Sequence, residues 1–272
     1  MLPASGIQKI IQLRFRRMKK NYKRIKNDCD KEAIHHFRVE YKKLRAFLRM
    51  MAVDAAHAKI KIPGSLRKVY QRSGSVRDLQ LHIDTIGNNT ASVGYIQKLQ
   101  EKLAAAKAEL AGTTGHEVLP ECLEKIEKKI KGDLADKIID DFVSGKVKEI
   151  SMILAHKIIR DGHLHAVRKC LKDIIYVVLI YRKELLLPFH VDGWKAENEK
   201  PFTDIATTLG RFQDSCISLT HLKDDLKAVS SLSDKKLITQ IYRQQSRLKR
   251  QQKQLLKKDL LTLITSFSDS HH

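Results

Sequence analysis

The chain has 272 residues but only 5 prolines and 12 glycines, so few positions carry a residue that breaks a helix. Its four cysteines, Cys29, Cys122, Cys170 and Cys216, are far apart and form no CxxC pair. That spacing excludes a zinc ribbon and a disulfide framework, and reads as reduced thiols. The longest apolar run, IIYVVLIY at 174–181, is far too short to cross a bilayer. The N-terminus lacks the charged-then-apolar order of a secretory signal, so the expectation is a soluble, cytoplasmic chain. Aromatics make up 6% of residues, too few to interleave stacking platforms with cations as sequence-tolerant single-strand binders do. Acids are scarce too, with 31 Asp and Glu against 52 Lys and Arg, a formal net charge of +21.

A surplus of that size repels itself unless a polyanion meets it, which points to nucleic acid, anionic lipid or polymeric phosphate. What the chain has in abundance is Leu, Ile, Ala, Lys, Glu and Gln, the composition of long helices. The fold class is therefore expected to be all-α.

The apolar periodicity agrees. Within residues 7–26, Ile11, Phe15, Met18, Tyr22 and Ile25 alternate four- and three-residue steps, one buried helical stripe. Arg17, Lys20 and Arg24 lie away from it, and residues 14–26 hold eight basic residues and no acid. That segment is either a solvated basic arm or part of an anion site, with Arg17 and Arg24 as candidates.

Residues 34–51 are more specific. Ile34, Phe37, Tyr41, Leu44, Leu48 and Met51 form an apolar stripe that must face a core. A second stripe, His35, Arg38, Lys42, Arg45 and Arg49, lies ~110° round the same helix. Glu40 falls on neither, so within this helix no carboxylate neutralises the basic stripe. A later helical pattern carries Gly74, where close approach of another group is expected, followed by Arg77 and Asp78.

The second half repeats the first. LHAVRKCLKDIIYVV from Leu164 aligns without a gap on IHHFRVEYKKLRAFL from Ile34, pairing His35 with His165, Arg38 with Arg168 and Lys42 with Lys172. Further on, Gly74 and Asp78 align with Gly210 and Asp214 in LGRFQDS. A duplicated helical unit of about 130 residues follows. The expected architecture is two helical bundles, residues 1–145 and 146–272, related by a pseudo-twofold axis around a basic central groove or channel. The second copy is degenerate: Ile175 stands where the first has Arg45, and Gln213 where it has Arg77.

The ordered motifs H-x-x-R-V-x-x-K-K-L-R (His35–Arg45) and G-x-x-R-D (Gly74–Asp78), with their weaker second copy, resemble the CHAD family, the conserved-histidine α-helical domain. The resemblance spans essentially the whole chain. It implies paired helical bundles around a basic channel and binding of inorganic polyphosphate without catalysis. For many members it also implies targeting to polyphosphate granules.

Such a polymer needs cations repeated along a groove. Arginine supplies planar forks and lysine compact charges for it. The candidate ligands are His35, Arg38, Lys42, Arg45, Arg49, Arg77, His165, Arg168 and Lys172. Arg243, Arg247 and Arg250, on one face of an acid-free C-terminal stretch, are candidates for a further wall. Asp78 and Asp214 are expected to hold an arginine or lysine in its binding rotamer rather than touch the ligand. The two histidines are either packed rings or groups that take up a proton when the polyanion arrives.

RNA or another nucleic acid is the alternative partner, since the charge serves it equally, although no RRM or OB pattern occurs. Catalysis is not expected: there is no GxxxxGK[ST] loop, and neither Asp140-Asp141 nor Asp224-Asp225 opens a metal-binding cluster. No metal or cofactor is called for.

Overall fold

The apolar stripes of the sequence become buried helix faces in the computed structural model, which describes residues 1–87, 93–113, 118–186 and 199–268. The helices are α1 (Ala4–Asp28), α2 (Lys31–Met51), α3 (Gly64–Gly87), α4 (Val93–Ala111), α5 (Val118–Glu127) and α6 (Lys137–Leu154). Then come α7 (Asp161–Leu179), continued by a π-helical turn (Ile180–Glu184), α8 (Glu199–Ala228) and α9 (Leu232–Ser268). Among the described residues there is no strand, only an isolated bridge between Leu2 and Leu134. No helix among them is long and apolar enough to cross a membrane.

Neighbouring helices pair as α1 with α2, α3 with α4 and α8 with α9, while α2 lies against α7, itself flanked by α6 and α8. The first reversal is sharp because Cys29 adopts a left-handed φ of 53° and donates its N–H to the Ile25 carbonyl at 3.0 Å. Asp30 then caps α2, its carboxylate accepting the Ala33 N–H at 2.6 Å.

All six apolar-stripe residues of α2 are buried, as are Val167, Leu171, Ile174 and Val178 of α7. Helix α2 also buries Ala46, Phe47 and Met50 on a further face, so core surrounds it on all but its basic side. A helix surrounded in this way has its side-chain directions fixed by packing. That is what aims its cations.

Helix α3 runs unbroken through Gly74. Between α5 and α6 the helical course is broken, with Gly132 at a positive φ of 74°. Position 145, the boundary expected between the halves, falls inside α6.

The basic segment 14–26 is also not one solvated face. Arg14 is 0% exposed and donates to Glu40 at 2.8 Å and to Glu184 in the π-helical turn. Arg17 pairs with the same two acids, at 3.2 Å to Glu184 and 3.8 Å to Glu40. Glu40, on neither stripe of α2, is thus the counter-charge of α1.

Candidate functional site

Where α2 faces α7 the two basic stripes meet around Lys42. Burial, followed by the charges of Arg38, Arg168, Arg45 and Lys172, pulls the pKa of this amine from 10.5 to about 7. Cations from both helices therefore act on one partly buried group. Lys172 is shifted down as well, again by burial and then by Arg168.

The arginines are held from behind. Arg38 donates to the Tyr70 carbonyl at 2.6 Å, and its guanidinium lies 4.4 Å from the centre of the Tyr70 ring. That ring stacks in turn on Tyr41 at 4.0 Å. A Cβ at Gly74 would sit 2.6 Å from Arg38 Nη1, so the close approach expected at this glycine is made by an arginine of another helix. The second copy is looser, with Arg168 Nη2 3.7 Å from the equivalent point at Gly210. Alanine is favoured over glycine in a helix by about 1 kcal/mol. Gly210→Ala is therefore expected to raise the thermal midpoint slightly, whereas Gly74→Ala displaces Arg38 and lowers it; thermal scans of the two variants check this.

Three arginines of the cluster keep buried N–H groups that no acceptor among the described residues meets: Arg45 Nε, Arg77 Nη1 and Arg168 Nε. Each such unmet donor costs about 1–3 kcal/mol until an acceptor arrives.

Burial and neighbouring cations also lower the pKa of both column histidines. For His35, burial is followed by Arg77 and His36. For His165, burial is opposed by a hydrogen bond, Nδ1 lying 2.8 Å from Gln213 Oε1. The glutamine that replaces an arginine in the second copy therefore orients the histidine.

Asp78 and Asp214 are shifted upward by burial, and the cations pulling hardest against that shift are Arg38 and Arg168 respectively. Neither carboxylate forms an ion pair among the described residues. The expectation that they grip an arginine is therefore replaced by a longer-range influence, since Arg38 is anchored by Tyr70.

The family model of the CHAD domain matches residues 9–223. The chain belongs to the CHAD family. The CHAD fold is also seen in a solved structure: the crystal structure of the CHAD domain from the plant Ricinus communis superposes with a TM-score of 0.72. The match covers 98% of this chain and 92% of that one at 14% identity, a likeness of fold alone. No curated protein sequence matches the chain.

The remaining candidates lie around this CHAD core in different states. Arg49 is not free as the α2 pattern suggested: it pairs with Asp173 of α7 at 2.7 Å, joining the two central helices. Arg24 pairs with Asp30 at 2.9 Å, and Arg17 is engaged as described. Arg243, Arg247 and Arg250 are exposed on α9, beyond the matched CHAD stretch, and the cations that most perturb Lys42 and His165 come from α2 and α7 instead.

Sequence reasoning missed the inward side of α9. There Lys249 and Lys253 pair with Asp161 at the start of α7, at 2.5 and 2.8 Å. It also missed the buried group in which Asp225 accepts from His82 and Tyr95 at 2.6 Å and from Lys102 at 3.1 Å. The carboxylates lie 88 to 143 positions from the groups that meet them and follow no spacing rule, so only the folded chain collects them.

Proposed function

We propose that this CHAD protein binds inorganic polyphosphate, without catalysis, in the trough between α2 and α7. The observation that carries the reading is the convergence of Arg38, Lys42, Arg45, Arg168 and Lys172, where burial first and the neighbouring cations second strip Lys42 of much of its proton affinity. Phosphate oxygens relieve that repulsion and satisfy the unmet N–H groups of Arg45, Arg77 and Arg168. A string of phosphates matches a row of cations better than a single anion does. Such binding would carry the protein to polyphosphate-rich bodies in the cytoplasm.

Counterion release makes the binding constant steeply dependent on salt, with a log–log slope of about −0.7 per phosphate contacted on a flexible strand. Five contacts give a loss on the order of 100-fold between about 50 and 200 mM salt. Arg168→Ala is expected to weaken polyphosphate binding at least tenfold and to make the slope shallower by about one contact. Titration at several salt concentrations measures both, and an unchanged slope and affinity in this variant would sink the reading. RNA that competes equally per phosphate would favour the nucleic-acid alternative. Polyphosphate shortened after incubation with protein and magnesium would show catalysis instead.

A further inference from the structure

A second cavity, of about 480 Å3, opens beside the central trough between the C-terminal half of α2, the 52–63 connection and the first turns of α3. Its size falls in the range of small-molecule sites, and its composition is of the same kind, an apolar floor with a few placed polar groups. Leu48, Ile60 and Ile62 form the floor, and Arg45, Arg49, Arg67 and Lys61 supply four cations around it.

The polar groups are arranged to receive something. Arg45 keeps its buried Nε–H unmet, while Arg67 and Lys61 are exposed and form no ion pair among the described residues. Arg45, Arg67 and Arg49 all act on the Tyr41 hydroxyl, pulling against the upward shift that burial gives it. Three guanidinium groups from two helices thus surround one phenol at the cavity wall.

The cavity is also particular to one half of the chain. Tyr41, Arg45 and Arg49 align with Leu171, Ile175 and Leu179, and Arg67 and Tyr70 with Thr203 and Ala206. The aligned helices of the second half bury their apolar stripe without cations at the positions of Arg45 and Arg67, so the stripe's packing does not demand these two.

We propose that this cavity binds a nucleoside di- or triphosphate, its phosphates among Arg67, Lys61 and Arg45, the last standing at the border with the trough, and its nucleoside over Leu48, Ile60 and Ile62. Arg49 is already paired with Asp173, and the three remaining cations still exceed the two charges of a phosphate monoester, which argues for two or three linked phosphates. The Tyr41 hydroxyl and the Gln71 amide at the wall offer hydrogen bonds that a base or ribose can use and an acyl chain cannot. The proposal stands whether or not the central trough holds polyphosphate.

Calorimetric titration of the full chain with ATP, inorganic tripolyphosphate and adenosine tests it. Two variants at exposed positions are paired with wild type: Ala58→Trp, which fills the cavity without changing charge, and Arg67→Ala. Circular dichroism confirms that each keeps its helical content. ATP is expected to bind at least tenfold tighter than tripolyphosphate, the nucleoside adding apolar contact that the inorganic anion lacks. Ala58→Trp is expected to abolish that difference while leaving tripolyphosphate binding within twofold, and Arg67→Ala to weaken ATP at least fivefold. The proposal is overturned if ATP binds no tighter than tripolyphosphate, or if either variant leaves ATP binding intact. Loss of long-chain polyphosphate binding in Arg168→Ala with ATP binding retained supports two separate sites, whereas loss of both places ATP in the trough and overturns the proposal.

Discussion

Between about pH 7 and 9, polyphosphate affinity is expected to fall on the order of tenfold per unit in the wild-type protein and to stay flat in Lys42→Arg. The free protein holds Lys42 at about 7, so above that pH the amine is mostly neutral. A bound polyanion favours the ammonium form and pushes the pKa back toward 10.5, so binding takes up a proton. Uptake means that affinity drops as protons become scarce, the drop running from the free pKa up to the bound one.

The other groups around this amine act in the same direction. His35 and His165, whose pKa burial and then neighbouring cations lower in the free protein, also take up protons when a polyanion binds and so tighten binding as pH falls. Asp78 and Asp214 are raised but start from the carboxylate range, and Lys172 adds to the same trend at higher pH. Lys42→Met, neutral at every pH, is expected to bind at pH 7 more weakly than wild type does at pH 9, because the wild-type drop is still incomplete there. Titrations in buffers of different ionisation heat count the protons directly, and a wild-type profile as flat as that of Lys42→Arg would remove Lys42 from the mechanism.

The second large effect concerns stability. Glu40→Ala is expected to cost about 1–3 kcal/mol, because it removes one of the two carboxylates that Arg14 holds, the other being Glu184; Arg14 is 0% exposed and already has an unmet Nε–H. Replacing both partners, as in Arg14→Met with Glu40→Leu, should recover most of that loss, since an apolar pair of similar volume needs no desolvation. Urea unfolding of the two variants and wild type measures the difference. A cost for Glu40→Ala below about 0.5 kcal/mol, the level of an ordinary surface change, would mean that the buried pair does not form.

How much of this was legible in the sequence can be judged residue by residue. The apolar stripes of α1, α2 and α7 were readable because helical packing writes a 3.6-residue period into the chain, and every stripe residue is buried. The stripe His35 to Arg49 was readable for the same reason, as was the need for a close approach at Gly74. What Gly74 accommodates was not, because Arg38 reaches it across two helices. The pairing of Arg49 with Asp173, and of Arg14 with Glu40 and Glu184, was equally hidden. Local pattern tells which way a side chain points on its own helix, but the partner that neutralises it comes from elsewhere. The low pKa of Lys42 belongs to this class in part: burial lowers it first, Arg38 and Arg45 of its own helix add to that, and α7 adds Arg168 and Lys172.

The Arg49–Asp173 bridge sets a limit on dissecting the molecule. Asp173 has a side chain 3% exposed, against 45% for its arginine, so the carboxylate relies on a partner from the opposite half to tolerate its position. A chain cut near position 145 would sever α6 in mid-helix and strand that acid without its cation. Fragments made by splitting the repeat at that point inherit a bare interior anion on one side and an unclosed core on the other. The two halves separated at that point are not units that can be purified apart.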